Sequence, residues 1–219
     1  MESQEIDLNN IQKIVSNHTP KPIGKYRRYS VFLPLVERDG EIQILFEVRS
    51  ENLRKQPGEV SLPGGKLETN ETPARCAVRE TAEELCIQEN SITVFGELNY
   101  MITYSNFTMF AFAGTIEFDA LLKTKPNPLE VKNILFVPLK FFMETEPEIW
   151  TNILRPEVHE DFPIHKLNNI AGEEGYKWRT GRSDVPMYTW KPNDGDDIVI
   201  WGLTARVIQD FVKILKTEK

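Results

Sequence analysis

Two runs rich in Val, Ile, Leu and Phe, residues 28–35 and 41–49, lie on either side of the dipeptide Asp39-Gly40. Apolar strands around an Asp-Gly pair signal a β-hairpin, because the tight turn that matches strand twist needs positive φ at its central residues. Further strand patterns follow at residues 92–99, 107–118, 131–137 and 198–201. Helical spacing of apolar residues marks 7–16, 73–85, 139–144 and 204–216. Strands interleaved with helices, without an internal repeat or a low-complexity linker, predict α/β layers. At 219 residues, the expectation is one domain over 1–219, with a short packing helix near its start and a helix near its end.

Lys and Arg number 26 against 33 Asp and Glu, a formal net charge of −7. That balance argues against a broad nucleic-acid or anionic-membrane surface and leaves room for a local basic pocket. The two cysteines, Cys76 and Cys86, are too sparse for a disulfide framework and read as reduced thiols of a cytoplasmic protein. Met1 to Asp7 lacks the basic start and apolar core of a secretory leader, and Thr217-Glu218-Lys219 is not a peroxisomal address, so the reading predicts no export. The uncharged stretch 98–116 contains Asn99, Thr103, Ser105, Asn106, Thr108 and Thr115, which predicts two strands turning at Ser105-Asn106 rather than a membrane span.

The chemistry concentrates around one helix. Thr72 can accept from its exposed amides, and Pro73 has no amide hydrogen to satisfy at its first turn. Near its other end Glu80, Glu83 and Glu84 stand three and four residues apart on one side. Carboxylates there repel one another and face the negative end of the helix dipole. A divalent cation such as Mg²⁺, which takes carboxylate and phosphate oxygens, would relieve the conflict; a solvated acidic face is the ordinary alternative. Upstream, Arg49, Arg54 and Lys55 gather positive charge suited to phosphate, or else form an ordinary solvated loop.

The linear pattern goes further. Gly65, Glu71, Arg79, Glu80, Glu83, Glu84 and Ile87 match the spacing Gly-x5-Glu-x7-Arg-Glu-U-x-Glu-Glu-x-Gly-U, where U is aliphatic. The chain therefore resembles the Nudix hydrolase family. Thr81 stands at an aliphatic position and Cys86 replaces the glycine that follows the helix. The resemblance implies an α/β/α sandwich around a mixed sheet and hydrolysis of a nucleoside diphosphate linked to another group. It implies Mg²⁺ or Mn²⁺ held by the Gly64 carbonyl and by Glu80, Glu83 and Glu84. Glu71 would pair with Arg79 to orient the segment, and Glu80 is a candidate base for water.

A second resemblance concerns substrate. Residues 45–65 are similar to the signature Arg-Ser-x3-Arg-x3-Gly-x3-Phe-Pro-Gly-Gly of the coenzyme A pyrophosphatase branch, with Leu62 at the Phe position, and Phe46 and Glu47 departing from its Leu-Thr opening. The segment Ile200-Trp201-Gly202-Leu203-Thr204-Ala205 is also similar to one of that branch. The implied products from coenzyme A are 3′,5′-ADP and 4′-phosphopantetheine, with Arg49, Arg54 and Lys55 binding substrate. The alternatives are hydrolysis of NADH, ADP-ribose or another nucleoside diphosphate derivative, and a catalytically silent binding module. Glu130, in a segment resembling one that precedes a late strand in the family, is either an auxiliary metal ligand or base, as the resemblance implies, or an ordinary surface strand residue. His159 and His165, whose spacing fits no familiar ligand pair, read as a polar loop, and Asp194-Gly195-Asp196-Asp197 as a turn.

Overall fold

Strands β1 (Arg27–Arg38) and β2 (Glu41–Arg49) pair antiparallel, with Leu35 opposite Ile44 and Arg38 opposite Glu41. This is the hairpin expected from the sequence, and Gly40 has the positive φ, 77°, that such a turn demands. The computed structural model describes residues 7–38, 40–167 and 177–217, so expectations on residues 1–6, Asp39, Glu218 and Lys219 lie outside the described residues.

The hairpin lies within a mixed sheet. Strands β3 (Val60–Ser61) and β4 (Gly64–Lys66) pair with β2 and β1 respectively. Strands β5 (Ile92–Glu97) and β6 (Met101–Ile102) pair with β7 (Phe107–Ile116), which runs parallel to β1 from Arg27 opposite Phe107 to Leu35 opposite Thr115. Asn106 takes the left-handed φ of 57° just before β7, so 98–116 does fold back on itself as expected. β8 (Val131–Pro138) covers the other side of β2.

Alternate residues of these strands enter two cores. Phe32 and Val36 of β1, Leu45 of β2 and Phe112 of β7 face one way, and Leu33, Ile44, Phe46 and Ala111 face the other. The first face is covered by α2 (Pro73–Leu85) through Ala77, Ala82 and Leu85. The second is covered by α4 (Leu139–Glu144) and α5 (Gly202–Thr217) through Phe142, Ala205, Ile208 and Phe211. The helix α3 (Phe118–Leu122) adds Leu121 to the first core. The layers are thus helix, mixed sheet, helix. Burying a large apolar side chain contributes roughly 1.5–3 kcal/mol, so a central strand buried on both faces selects against charge. Glu47, in β2, is an exception.

Two features depart from expectation. The helix α1 (Leu8–Ser16) forms where predicted, with Asp7 accepting from the Asn10 amide at 2.9 Å, but it buries no residue and Ile14 is 59% exposed. Its apolar stripe therefore does not pack as expected. A second sheet, β9 (Glu148–Leu154), β10 (Gly181–Trp190) and β11 (Ile198–Trp201), contains two strands that the sequence reading did not assign. β9 has an almost wholly exposed surface, so it lacks the in–out alternation by which strands are recognised.

The ends of α2 explain both departures from the family pattern. Thr72 caps the start by accepting from the Arg75 amide, with Pro73 next. Thr81 is fully buried, and its hydroxyl donates to the Ala77 carbonyl at 2.7 Å, so it occupies an apolar position without an orphaned polar group. Cys86 takes the left-handed C-terminal conformation, φ 53° and ψ 42°, that glycine adopts without strain. Left-handed backbone costs a side-chain-bearing residue about 1–2 kcal/mol, partly offset by the greater unfolded-state freedom of glycine. Cys86→Gly should stabilise the protein by about 0.5–1 kcal/mol, read as a higher urea midpoint at unchanged slope. A lower midpoint would mean that the Cys86 side chain contributes more than its backbone costs.

Candidate active site at the end of the second helix

The last two turns of α2 lie against β4, and the contact is made through glycine. A Cβ on Gly65 would sit 2.2 Å from the carboxyl carbon of Glu80, and one on Gly64, whose φ is 151°, would sit 2.3 Å from the Ser30 carbonyl oxygen. A side chain at Gly65 would displace the Glu80 carboxyl, and one at Gly64 would collide with the β1 backbone. The Gly64 amide then donates to Glu84 Oε2 at 2.8 Å, which fixes that carboxylate beneath the strand.

Arg79 organises the opposite side. Its Nε donates to Glu71 Oε1 at 2.8 Å, its Nη2 to Glu71 Oε2 at 3.1 Å and to Glu80 Oε1 at 2.9 Å, and its Nη1 to Glu83 Oε2 at 2.9 Å. The Arg79 and Glu71 side chains are only 17% and 8% exposed. The guanidinium hydrogen bond holds the Glu71 carboxyl down at about 2, and Glu71 in turn raises Arg79 above its ordinary value. Glu83 is largely exposed.

The remaining acids gather without comparable compensation. Burial pushes Glu84 up, and Glu80 and Glu130 add to the effect. Burial also raises Glu80, against the opposing pull of Arg79. Glu130 is exposed, but its segment is tied to the site: Asn127 donates its amide to the Glu84 carbonyl at 2.8 Å, and the Ser50 amide donates to the Glu130 carbonyl at 2.8 Å. The loop expected to carry an auxiliary acid is therefore held beside α2.

Glu47 is the residue that the sequence reading missed as part of this cluster. It is 2% exposed, its carboxyl meets that of Glu84, and its Oε1 has no hydrogen-bond partner. The available signal was an acid inside the apolar run Ile44-Leu45-Phe46-Glu47-Val48. Burial first, then Glu84, pushes its carboxyl well above the usual carboxylate range.

Among the described residues no three His, Cys, Asp or Glu side chains already form a metal cage. The hydrogen bonds give the reason: Arg79 takes one oxygen each of Glu80 and Glu83, and Gly64 takes one of Glu84. The donor set is nonetheless all oxygen, negatively charged and under-compensated, and it includes an orphaned buried carboxylate oxygen. That chemistry fits a hard divalent cation such as Mg²⁺ or Mn²⁺. Cys76 is no rival ligand, because burial, with Glu71 and Glu80, pushes its thiol up to about 12.

On the other side of Gly64 a cleft of about 600 Å³ opens between the sheet and the start of α5. Val31, Arg49, Tyr104, Arg182, Trp201 and Thr204 help to line it. Arg49 lies in it, with its Nε donating to the Gln56 carbonyl and its Nη2 to the Lys55 carbonyl at 3.2 and 3.3 Å. Arg54 and Lys55 are exposed and do not line it. Arg182 and Arg206 do line it from strands and a helix distant in sequence, which no local motif announces; Arg206 is committed to the Asp184 carbonyl and Ser183 hydroxyl. His159 pairs with Asp161 and is exposed; His165 is exposed as well, but lies in a 3-10 turn over Ile164–Leu167 rather than in a loop. The segment at Asp194 bends through Gly195 at φ 100°, consistent with a turn.

A family model described as NUDIX domain matches residues 26–156. The peroxisomal coenzyme A diphosphatase of Mus musculus is 30% identical over 154 residues, 69% of this chain and 63% of that protein. The chloroplastic Nudix hydrolase 22 of Arabidopsis thaliana is 28% identical over 184 residues, 83% of this chain and 53% of that protein. The matches thus span less than two thirds of either relative's length. A MutT/nudix family protein of Enterococcus faecalis, known from its crystal structure, gives a TM-score of 0.47 at 12% identity, covering 96% of this chain and 70% of that one. Among the described residues no helix is long and apolar enough to cross a membrane.

Proposed function

The chain belongs to the Nudix family, and from that premise we propose that it hydrolyses the diphosphate linkage of coenzyme A or an acyl derivative, yielding 3′,5′-ADP and 4′-phosphopantetheine or its acyl form. The observation that carries the reading is the meeting at Gly64 of two features: the acidic end of α2 and the Arg49-lined cleft. The signature in residues 45–65 and the relative named a coenzyme A diphosphatase support the same substrate class. We take residues 1–219 as one domain acting in the cytoplasm.

Glu80, Glu83, Glu84 and the Gly64 carbonyl, with Glu130, would hold Mg²⁺ or Mn²⁺. When bound, the cation supplies positive charge to the diphosphate and its transition state. Arg79 sets the carboxylates, taking Oε1 of Glu80 and leaving Oε2 outside that hydrogen bond. Glu80 Oε2 is the atom we assign to receive the proton of the attacking water; the water oxygen bonds to one phosphorus as that phosphorus loses the bridging oxygen. Of the three basic residues assigned to substrate, Arg49 at the end of β2 lines the cleft, while Arg54 and Lys55 are exposed on the loop that follows.

The test is a panel of coenzyme A, dephospho-coenzyme A, NADH and ADP-ribose with Mg²⁺ or Mn²⁺ and product identification. Coenzyme A should be preferred. In Arg49→Ala, loss of one charge-assisted hydrogen bond to the 3′-phosphate should lower kcat/KM for coenzyme A by about 10- to 150-fold, with much less effect on the dephospho form. Equal losses would assign Arg49 to the shared diphosphate or to holding its loop. Preference for NADH or ADP-ribose would reject the coenzyme A reading, and binding without turnover would identify a silent module.

A further inference from the structure

We propose that Glu47 supplies an additional carboxylate to a divalent cation seated between β2 and the last turn of α2, giving the acidic cluster an inner wall on the central sheet. The proposal rests on the metal reading above, and deepens it. Glu47 sits opposite Ser61 of β3 and Ile134 of β8, and alternation along β2 places it on the same side as Leu45, facing α2. Buried there, its Oε1 has no partner. On β1 the Ser30 hydroxyl, also fully buried and unpartnered, sits opposite Gly65, against which Glu80 packs.

The charged groups acting on Glu47 are Glu84 from α2, Glu130 from the turn before β8, and Arg49 from its own strand. Arg49 is a poor mate, because two of its donors are committed to the Gln56 and Lys55 carbonyls. An isolated buried carboxylate is costly, and two in contact are costlier unless something positive lies between them. An oxygen-preferring cation meets that need by bonding Glu47 and Glu84 together. The signature that this segment resembles has Thr where this chain carries Glu47.

The experiment titrates Mn²⁺ into wild type, Glu47→Gln, Glu47→Thr and Glu84→Gln without substrate. Binding is followed by the electron paramagnetic resonance signal of free Mn²⁺, and each protein is melted with and without the ion. Both Glu47 variants should bind Mn²⁺ about tenfold or more weakly than wild type and should lose most of the Mn²⁺-induced rise in Tm. Thr suits a strand and removes side-chain volume, so it gives a reading if Gln does not fold. Wild-type affinity in the Glu47 variants, with a higher metal-free Tm, would overturn the proposal and leave Glu47 sharing a proton with Glu84. A site lost in Glu84→Gln but kept in both Glu47 variants overturns only the role of Glu47, whereas a wild type without any Mn²⁺ site overturns the metal reading itself. The coenzyme A assignment is judged separately, by the substrate panel.

Discussion

Glu84→Gln should lower the proposed diphosphate hydrolysis by about 10²–10³-fold and make the metal-free protein more stable. Both effects come from the same buried charge. Glutamine keeps the length of the side chain and an oxygen that can accept from the Gly64 amide, so the contact between helix and strand survives. What disappears is a carboxylate that burial has raised above its ordinary value, next to Glu80, Glu130 and Glu47. For a carboxyl raised in the folded state, the favourable contribution is complete below its unfolded value of about 4.3 and is lost as pH rises through the folded value. Metal-free wild type should therefore lose stability from acid toward neutral pH more steeply than Glu84→Gln. Near-normal turnover of a folded Glu84→Gln protein at limiting Mg²⁺ would reject Glu84 as an essential ligand.

Arg79→Ala is expected to have the largest effect on folding. It leaves Glu71 and Glu80 largely buried without their shared guanidinium. Removing one member of a buried ion pair costs about 3–5 kcal/mol, and because these groups keep some solvent contact the lower end applies. For a chain of this size, about 3 kcal/mol corresponds to a fall in Tm of about 6–12 °C. The Glu71 carboxyl is held down at about 2, so its contribution is complete above the unfolded value near 4.3 and is lost as pH falls toward 2. The gap in Tm between wild type and Arg79→Ala should therefore narrow across that window. Arg79→Lys keeps the charge but not the three-pronged geometry, and should recover only part of the loss. A deficit below about 1 kcal/mol for Arg79→Ala near neutral pH would identify the pairs as solvent-screened surface contacts.

The site was legible where its residues are local in sequence. Glu80, Glu83 and Glu84 share one side of α2 because helical periodicity puts them there, and Glu71 reaches Arg79 within two helical turns of the segment's start. The Thr72 cap, Pro73, the left-handed end at Cys86 and the hairpin at Gly40 are likewise dictated by short-range sterics and amide satisfaction. Arg54 and Lys55 mark the limit of that logic: they lie beside Arg49 in sequence, but only Arg49 turns into the cleft.

The amino-acid sequence by itself determined the apolar strand runs, the helix α2 and its row of carboxylates, because each depends on backbone geometry repeating over a few residues. Tertiary structure alone decided that Glu47 faces Glu84 across the gap between sheet and helix, that the Glu84 carbonyl and the Ser50 amide bring Glu130 alongside, and that Arg182 from β10 shares a cleft with Arg49. The same holds for β9, whose pairing with β10 comes from backbone hydrogen bonds rather than a buried stripe. Contacts of that kind depend on which face of which strand meets which helix. That choice is made by burial summed over the whole sheet, and no local spacing records it.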